Sequence, residues 1–135
     1  MIFRYTLADI DAVAQALLDT LPERCTILLE AEMGSGKTTL MSHLLQLMGI
    51  DEVSSPTYSL VNEYRTPSGK AIHHYDLYRL KAAEELEEIG FGDLLDRGEW
   101  NFIEWPEKGM AHYHTFVTWK ITAEADGTRV LEIIP

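Results

Sequence analysis

The stretch Gly34-Ser35-Gly36-Lys37-Thr38 constrains this chain more than any other feature, because of what stands on either side of it. Before it runs Cys25 to Ala31, short and mostly apolar, the kind of strand a parallel sheet buries on both faces. After it, from Lys37 to Met48, apolar residues recur at helical spacing. Strand, glycine-rich turn and helix in that order leave the first backbone N–H groups of the helix unpaired and convergent, which suits an anion. Gly34 and Gly36 can take backbone angles closed to other residues and carry no side chain into that space. Lys37 adds a positive charge for the β- and γ-phosphates of a nucleotide, and the Thr38 hydroxyl is a ligand for Mg²⁺. Ser35 and Thr39 belong to the same nucleotide-contacting set. The pattern is G-x-x-x-x-G-K-[ST] with one departure, Ala31 in place of the first glycine. That change is mild unless the position requires a positive φ. The competing reading is a glycine-rich turn with no ligand, and the flanking strand and helix patterns weigh against it.

The remaining patterns predict an α/β fold, a P-loop NTPase-like single domain whose central sheet is mostly parallel with antiparallel hairpin additions. A strand is expected at Ile2 to Tyr5. Thr6-Leu7-Ala8-Asp9 reads as a capping box, followed by apolar positions at helical spacing from Leu7 to Leu21, with Pro22 and Glu23 ending the helix. Leu60 to Arg65 and Ala71 to Leu77 predict two strands around a turn at Thr66-Pro67-Ser68-Gly69. Glu84 to Leu95 predicts a helix interrupted near Gly90 and Gly92, and Trp100 to Glu104 a short strand. The tail from Thr115 to Ile134 predicts two strands joined at Asp126-Gly127.

With 135 residues, 46% of them hydrophobic, the chain has the size and apolar content of one domain, 1–135. Its apolar runs fall well short of the roughly 20 residues that span a bilayer. Arg4, Asp9 and Asp11 in the first 18 residues do not suit a signal peptide. The lone Cys25 leaves no internal disulfide and reads as a small buried hydrophobe, so the expected setting is cytoplasmic, with no membrane partner. The formal net charge is −11, without the basic face that a protein binding nucleic acid by itself shows. Nine acidic side chains against Arg97 alone lie between Glu84 and Glu107, a solvated face or a docking face for a basic partner.

A phosphate loop needs an acid to hold or organise its magnesium. Glu104 ends one strand-like run and Asp76 another, both at the end of a parallel sheet where ligands of α/β folds bind. Each also has a plainer reading as a surface carboxylate or helix cap. His73 and His74, adjacent on a strand, point to opposite faces and cannot easily share a metal. His112 and His114 can share a face but lack a completing ligand. Thr6, at the start of the first helix, is the candidate for touching the base.

Four blocks, Met33-Gly34-Ser35-Gly36-Lys37-Thr38-Thr39-Leu40, Ser55-Pro56-Thr57-Tyr58-Ser59-Leu60-Val61, His74-Tyr75-Asp76-Leu77-Tyr78-Arg79-Leu80 and Ile103-Glu104-Trp105-Pro106-Glu107, together resemble the bacterial TsaE (formerly YjeE) family. Its members are ATPase subunits of the machinery that makes threonylcarbamoyladenosine in tRNA. The resemblance implies ATP and Mg²⁺ as cofactors, with Thr38 and Glu104 on the metal and Thr57 as a switch near the γ-phosphate. It further implies Lys37, Asp76 and Glu104 as catalytic residues and Trp105 as needed for activity. It implies a TsaB–TsaD pair as partners, with tRNA reached only through the complex, and slow turnover by the subunit alone. A small phosphotransferase is the alternative. Such enzymes carry arginines on a lid, whereas the central region has only Arg79 and Arg97, separated by an acidic stretch. A nucleotide-sensing module with negligible turnover is a third class. A GTPase fits less well, because no N/T-K-x-D motif is present.

Overall fold

The computed structural model describes residues 1–32, 34–50 and 60–135. Seven strands form one mixed sheet: β1 (Ile2–Tyr5), β2 (Cys25–Ala31), β3 (Val61–Arg65), β4 (Ala71–Asp76), β5 (Trp100–Glu104), β6 (Val117–Ala123) and β7 (Arg129–Ile134), in the spatial order β1-β7-β6-β2-β5-β4-β3. The central strands β6, β2, β5 and β4 run parallel, and β3, β7 and β1 are antiparallel additions at the two sides. The expected architecture is therefore the observed one.

Alternation along the central strands splits the core in two. Ile27, Leu29, Ile72 and Phe102 face α1 (Ile10–Asp19) and α2 (Lys37–Leu47), where Leu17, Leu40, Leu44 and Leu45 close the layer. Leu28, Tyr75 and Ile103 face the other way, toward α3 (Glu84–Glu88), α4 (Phe91–Arg97) and a 3₁₀ segment at Pro106–His112. These strands are apolar on both faces because both are covered. Each such fully buried aliphatic side chain contributes about 1.5–3 kcal/mol.

The helices begin and end where local chemistry requires. The Thr6 N–H donates to the Asp9 carboxylate, the capping contact the sequence implies, but the first turn, Leu7–Asp9, is 3₁₀ and α1 proper starts at Ile10. α1 ends at Asp19, three residues before Pro22. In α2, Lys37, Leu40, Met41, Leu44 and Leu45 are buried, a single stripe at helical spacing. The expected interruption near Gly90 is real: Gly90 sits at φ +68 between α3 and α4. Cys25 is only half-buried, and burial still pushes its thiol above the ordinary range.

His73 is on β4 opposite Glu63 of β3, its ring 3.2 Å from the Tyr75 hydroxyl and 3.4 Å from the Glu63 carboxylate. Burial holds its pKa below the ordinary value, against the opposing pull of Glu63. The unfolded chain takes up this proton near pH 6.5 and the folded chain only at lower pH, so the contribution is fully present above about pH 6.5 and is lost as pH falls. Thermal unfolding followed from pH 7.5 to 5 should show this loss, with a slope from this residue of at most about 1.4 kcal/mol per pH unit. His73→Gln should flatten that limb, and an unchanged limb would assign it to other groups.

Candidate functional site

The parallel strands bring their carboxyl ends to one rim, and the turn between β2 and α2 lies on it. Gly34 has φ +77 and Gly36 has φ +94, both in the left-handed region that the sequence reading reserved for glycine. Ala31 remains in β2, paired with Ile121, so no positive φ is asked of it and the departure from the motif costs no strain. α2 then starts at Lys37 with its N-terminal N–H groups turned to the rim.

A cavity of about 440 Å³ opens there, lined by Gly34, Gly36, Lys37, Thr38 and Thr39 from the turn and helix, by Asp76 and Tyr78 after β4, by Glu104 and Trp105 after β5, and by Arg129. Every residue on this list except Tyr78 and Arg129 is a sequence-predicted site residue. Asp76 and Glu104 lie opposite one another across the β4–β5 pair. Asp76 accepts the Tyr78 N–H and is partly exposed, whereas Glu104 is only 5% exposed. Glu104 Oε1 lies 3.9 Å from Lys37 Nζ, and that ammonium also sits 4.1 Å above the centre of the Trp105 ring. Lys37 is thus held between a carboxylate and an aromatic face.

Trp105 is the one described non-glycine residue with positive φ, at +55. Such a conformation costs about 1–2 kcal/mol, and its surroundings fix it. Tyr113 donates its hydroxyl to the Pro106 carbonyl, and the Tyr78 ring lies 5.0 Å from the indole. Lys108 donates to the carbonyls of Tyr78 and Leu80, tying the segment after β4 to the segment after β5.

A second cavity of about 210 Å³ adjoins the first through Gly36, Thr39 and Arg129, and continues to Tyr5, Leu7, Ile10 and Gly127. Thr6 lies between two of its lining residues, with its hydroxyl 3.1 Å from Asp9 Oδ2. Ser35 is buried and donates its hydroxyl to the Glu32 carbonyl, so its side chain secures the turn. Thr57, with the rest of the block from Ser55 to Ser59, lies outside the described residues.

Three residues of the rim, Tyr78, Arg129 and His74, carry no predicted site role. Arg129 opens β7 just after the Asp126-Gly127 turn, and no motif marks it. His73 and His74, expected to point to opposite faces of their strand, do so. The same alternation that separated them places His74 on the face of Asp76, and its Nε2 lies 2.5 Å from Glu104 Oε2. Among the described residues, no group of three or more His, Cys, Asp or Glu side chains can enclose a metal by itself.

The chain matches the family model described as threonylcarbamoyl adenosine biosynthesis protein TsaE over residues 5–131. It is 45% identical over 99 residues to the tRNA threonylcarbamoyladenosine biosynthesis protein TsaE of Haemophilus influenzae, a match covering 72% of this chain and 62% of that protein. The protein of the same description from Rickettsia felis is 37% identical over 97 residues, 70% of this chain and 56% of its own length. That from a Nostoc species is 36% identical over 121 residues, 87% of this chain and 74% of its own length. The chain thus spans less than two thirds of the first two relatives. The crystal structure of Bacillus subtilis YdiB superimposes with a TM-score of 0.74 at 19% identity, over 97% of this chain and 82% of that one, which establishes a shared fold.

A Cβ added at Gly36 would meet Arg129 Nε at 3.2 Å, whereas one at Gly34 would meet nothing within 4 Å. Both φ values disfavour alanine. Gly34→Ala is therefore expected to cost about 1–2 kcal/mol from backbone strain, and Gly36→Ala more than that. Urea unfolding midpoints should rank the variants in that order, and equal midpoints would remove the role of Arg129.

Proposed function

This chain belongs to the TsaE family, and on that premise we propose that it is a Mg²⁺-dependent ATP-binding and ATP-hydrolysing protein that serves the threonylcarbamoyladenosine modification of tRNA in the cytoplasm, acting with a TsaB–TsaD pair. The observation that carries the nucleotide reading is the convergence on one cavity of the α2 N-terminus, Lys37 and Glu104. Backbone N–H groups after Gly34 and the Lys37 ammonium receive the phosphates, and Arg129 stands where the two cavities meet, between phosphate and base.

The donors suit magnesium. They are hard oxygens, the Thr38 hydroxyl and the Glu104 carboxylate, too few to cage an ion alone, which is how Mg²⁺ shared with nucleotide phosphates is held. When bound, the ion neutralises charge developing on the phosphate oxygens. In hydrolysis, water attacks the γ-phosphorus, the bond to the bridging oxygen breaks, and ADP leaves. Asp76, accessible across the strand pair from Glu104, orients that water and takes up its proton. Lys37 must exchange part of its contact with Glu104 and Trp105 for the phosphate.

The net charge of −11 supports a protein that meets tRNA only through its partners, whose surfaces supply the basic groups. No described helix is long and apolar enough to cross a membrane.

Charge-assisted contacts to phosphate are worth roughly 1.5–3 kcal/mol, so Lys37→Ala should weaken ATP binding about 10- to 100-fold without unfolding the protein. Calorimetric titration decides this, and equal affinities would sink the nucleotide site.

The assembly claim has its own test. The Thr57 hydroxyl is the proposed sensor of the γ-phosphate. A ligand shifts an equilibrium only through differential affinity for its states. Binding to a TsaB–TsaD pair should therefore be about 5- to 150-fold tighter with a non-hydrolysable ATP analogue than with ADP, and Thr57→Ala should shrink that ratio. No binding under either nucleotide would defeat the partner assignment, and equal binding would remove the switch.

A further inference from the structure

We propose that His74 is a positioning residue for Glu104, dividing the two carboxylate oxygens so that one is held by the imidazole and the other faces the phosphate cavity, and thereby sets how strongly magnesium tightens nucleotide binding. This rests on the ATP–Mg²⁺ reading above.

The geometry is specific. β4 and β5 run parallel, with His74 opposite Phe102 and Asp76 opposite Glu104. Phe102 and Ile72 belong to the core layer under α1 and α2, so alternation puts His74, Asp76 and Glu104 on that same face, beside the start of α2. His74 Nε2 approaches Glu104 Oε2 to 2.5 Å, and both residues are at least 95% buried. The other oxygen, Oε1, is the one turned to Lys37, at 3.9 Å.

An ionised carboxylate only accepts hydrogen bonds, so the shared proton belongs to Nε2 and the imidazole donates. Nδ1 is buried and has no hydrogen-bond partner among the described residues. With the ring neutral, that atom carries a lone pair, and a bare acceptor is tolerated in a protein interior more readily than a bare N–H. The tautomer that serves Glu104 is therefore also the one that the Nδ1 surroundings favour.

A buried carboxylate needs fixed partners. Among the described residues, His74 is the donor at hydrogen-bonding distance, and Lys37 is the looser neighbour. Lys37 is also the group that phosphate draws away. His74 remains, so the orientation of Glu104 persists through the exchange. Groups that hydrogen-bond a metal-ligating carboxylate usually change metal affinity 10- to 100-fold when removed.

The test compares two polar replacements that are smaller than imidazole. In His74→Gln the side-chain amide nitrogen reaches the place of Nε2, and in His74→Asn it stops near Nδ1 and falls short of Glu104. ADP affinity is measured by calorimetry in excess Mg²⁺ and again in EDTA, and the ratio gives the magnesium enhancement. The wild-type ratio should survive in His74→Gln, and it should fall about 10- to 100-fold in His74→Asn while the EDTA affinities of all three proteins stay close. In a Glu104→Ala background His74→Asn should change the ratio no further.

A purely structural histidine gives a different pattern: both variants lose affinity equally with and without Mg²⁺, in step with a lowered Tm. That pattern, or a His74→Asn variant with the wild-type ratio, overturns the assignment. A wild-type protein that binds ADP with no magnesium enhancement overturns the magnesium reading, and the assignment of His74 with it. A wild-type protein that binds no nucleotide defeats the nucleotide site itself.

Discussion

In the parallel pairing of β2 with β5, Leu29 lies opposite Glu104, and in that of β5 with β4, Glu104 lies opposite Asp76. A slip of one residue in either ladder would turn a whole set of side chains to the other face. The apolar content of both faces makes such a slip costly here, since Phe102 and Ile103 are each wholly buried in different layers. The rim chemistry is therefore a by-product of core packing. Two carboxylates arrive beside the turn after β2 because the residues behind them have only one comfortable register.

That arrangement leaves charge in a poorly solvated place. Lys37 and Glu104 are both buried, yet their closest approach is 3.9 Å, too long for a strong hydrogen bond. A buried pair of this kind is weak as a stabilising device, because desolvation offsets much of the attraction. The indole of Trp105 supports the ammonium with a weaker, less directional contact. Lys37 thus stands beside two partners, neither of which binds it tightly, a condition suited to the proposed transfer of its contact to a phosphate. The strained backbone at Trp105 belongs to the same arrangement, since it is what carries the ring from the end of β5 over Lys37.

Much of this was legible in the sequence. β2 and β5 have the predicted limits, Cys25–Ala31 and Trp100–Glu104, because continuous apolar runs bounded by turn residues have few other uses in a short chain. The turn after β2 was legible because the left-handed angles at Gly34 and Gly36 are a backbone demand that composition reveals. Details within single turns were less so: whether Leu7–Asp9 winds as 3₁₀ or α depends on packing, not on the capping residues. Arg129 was invisible for a different reason. It joins the rim through the β1–β7 and β6–β7 pairings, and long-range pairing leaves no local trace. His74 does leave a trace, the strand face it shares with Asp76 two residues on, but that spacing does not name Glu104 of another strand as its partner.

β1 pairs with β7 alone among the described strands, Ile2 facing Glu132 and Tyr5 facing Arg129. This ties the order of assembly to the order of synthesis. The strand made first finds its neighbour only after residue 132 has left the ribosome, and closing so long a loop carries the largest entropy cost of any pairing in the sheet. Tyr5 and Arg129, which that closure joins, are both walls of the smaller cavity. Gly127 and Arg129, the walls that complete this chamber, are therefore translated long after Tyr5, Leu7, Ile10, Gly36 and Thr39, and the chamber cannot close until they arrive.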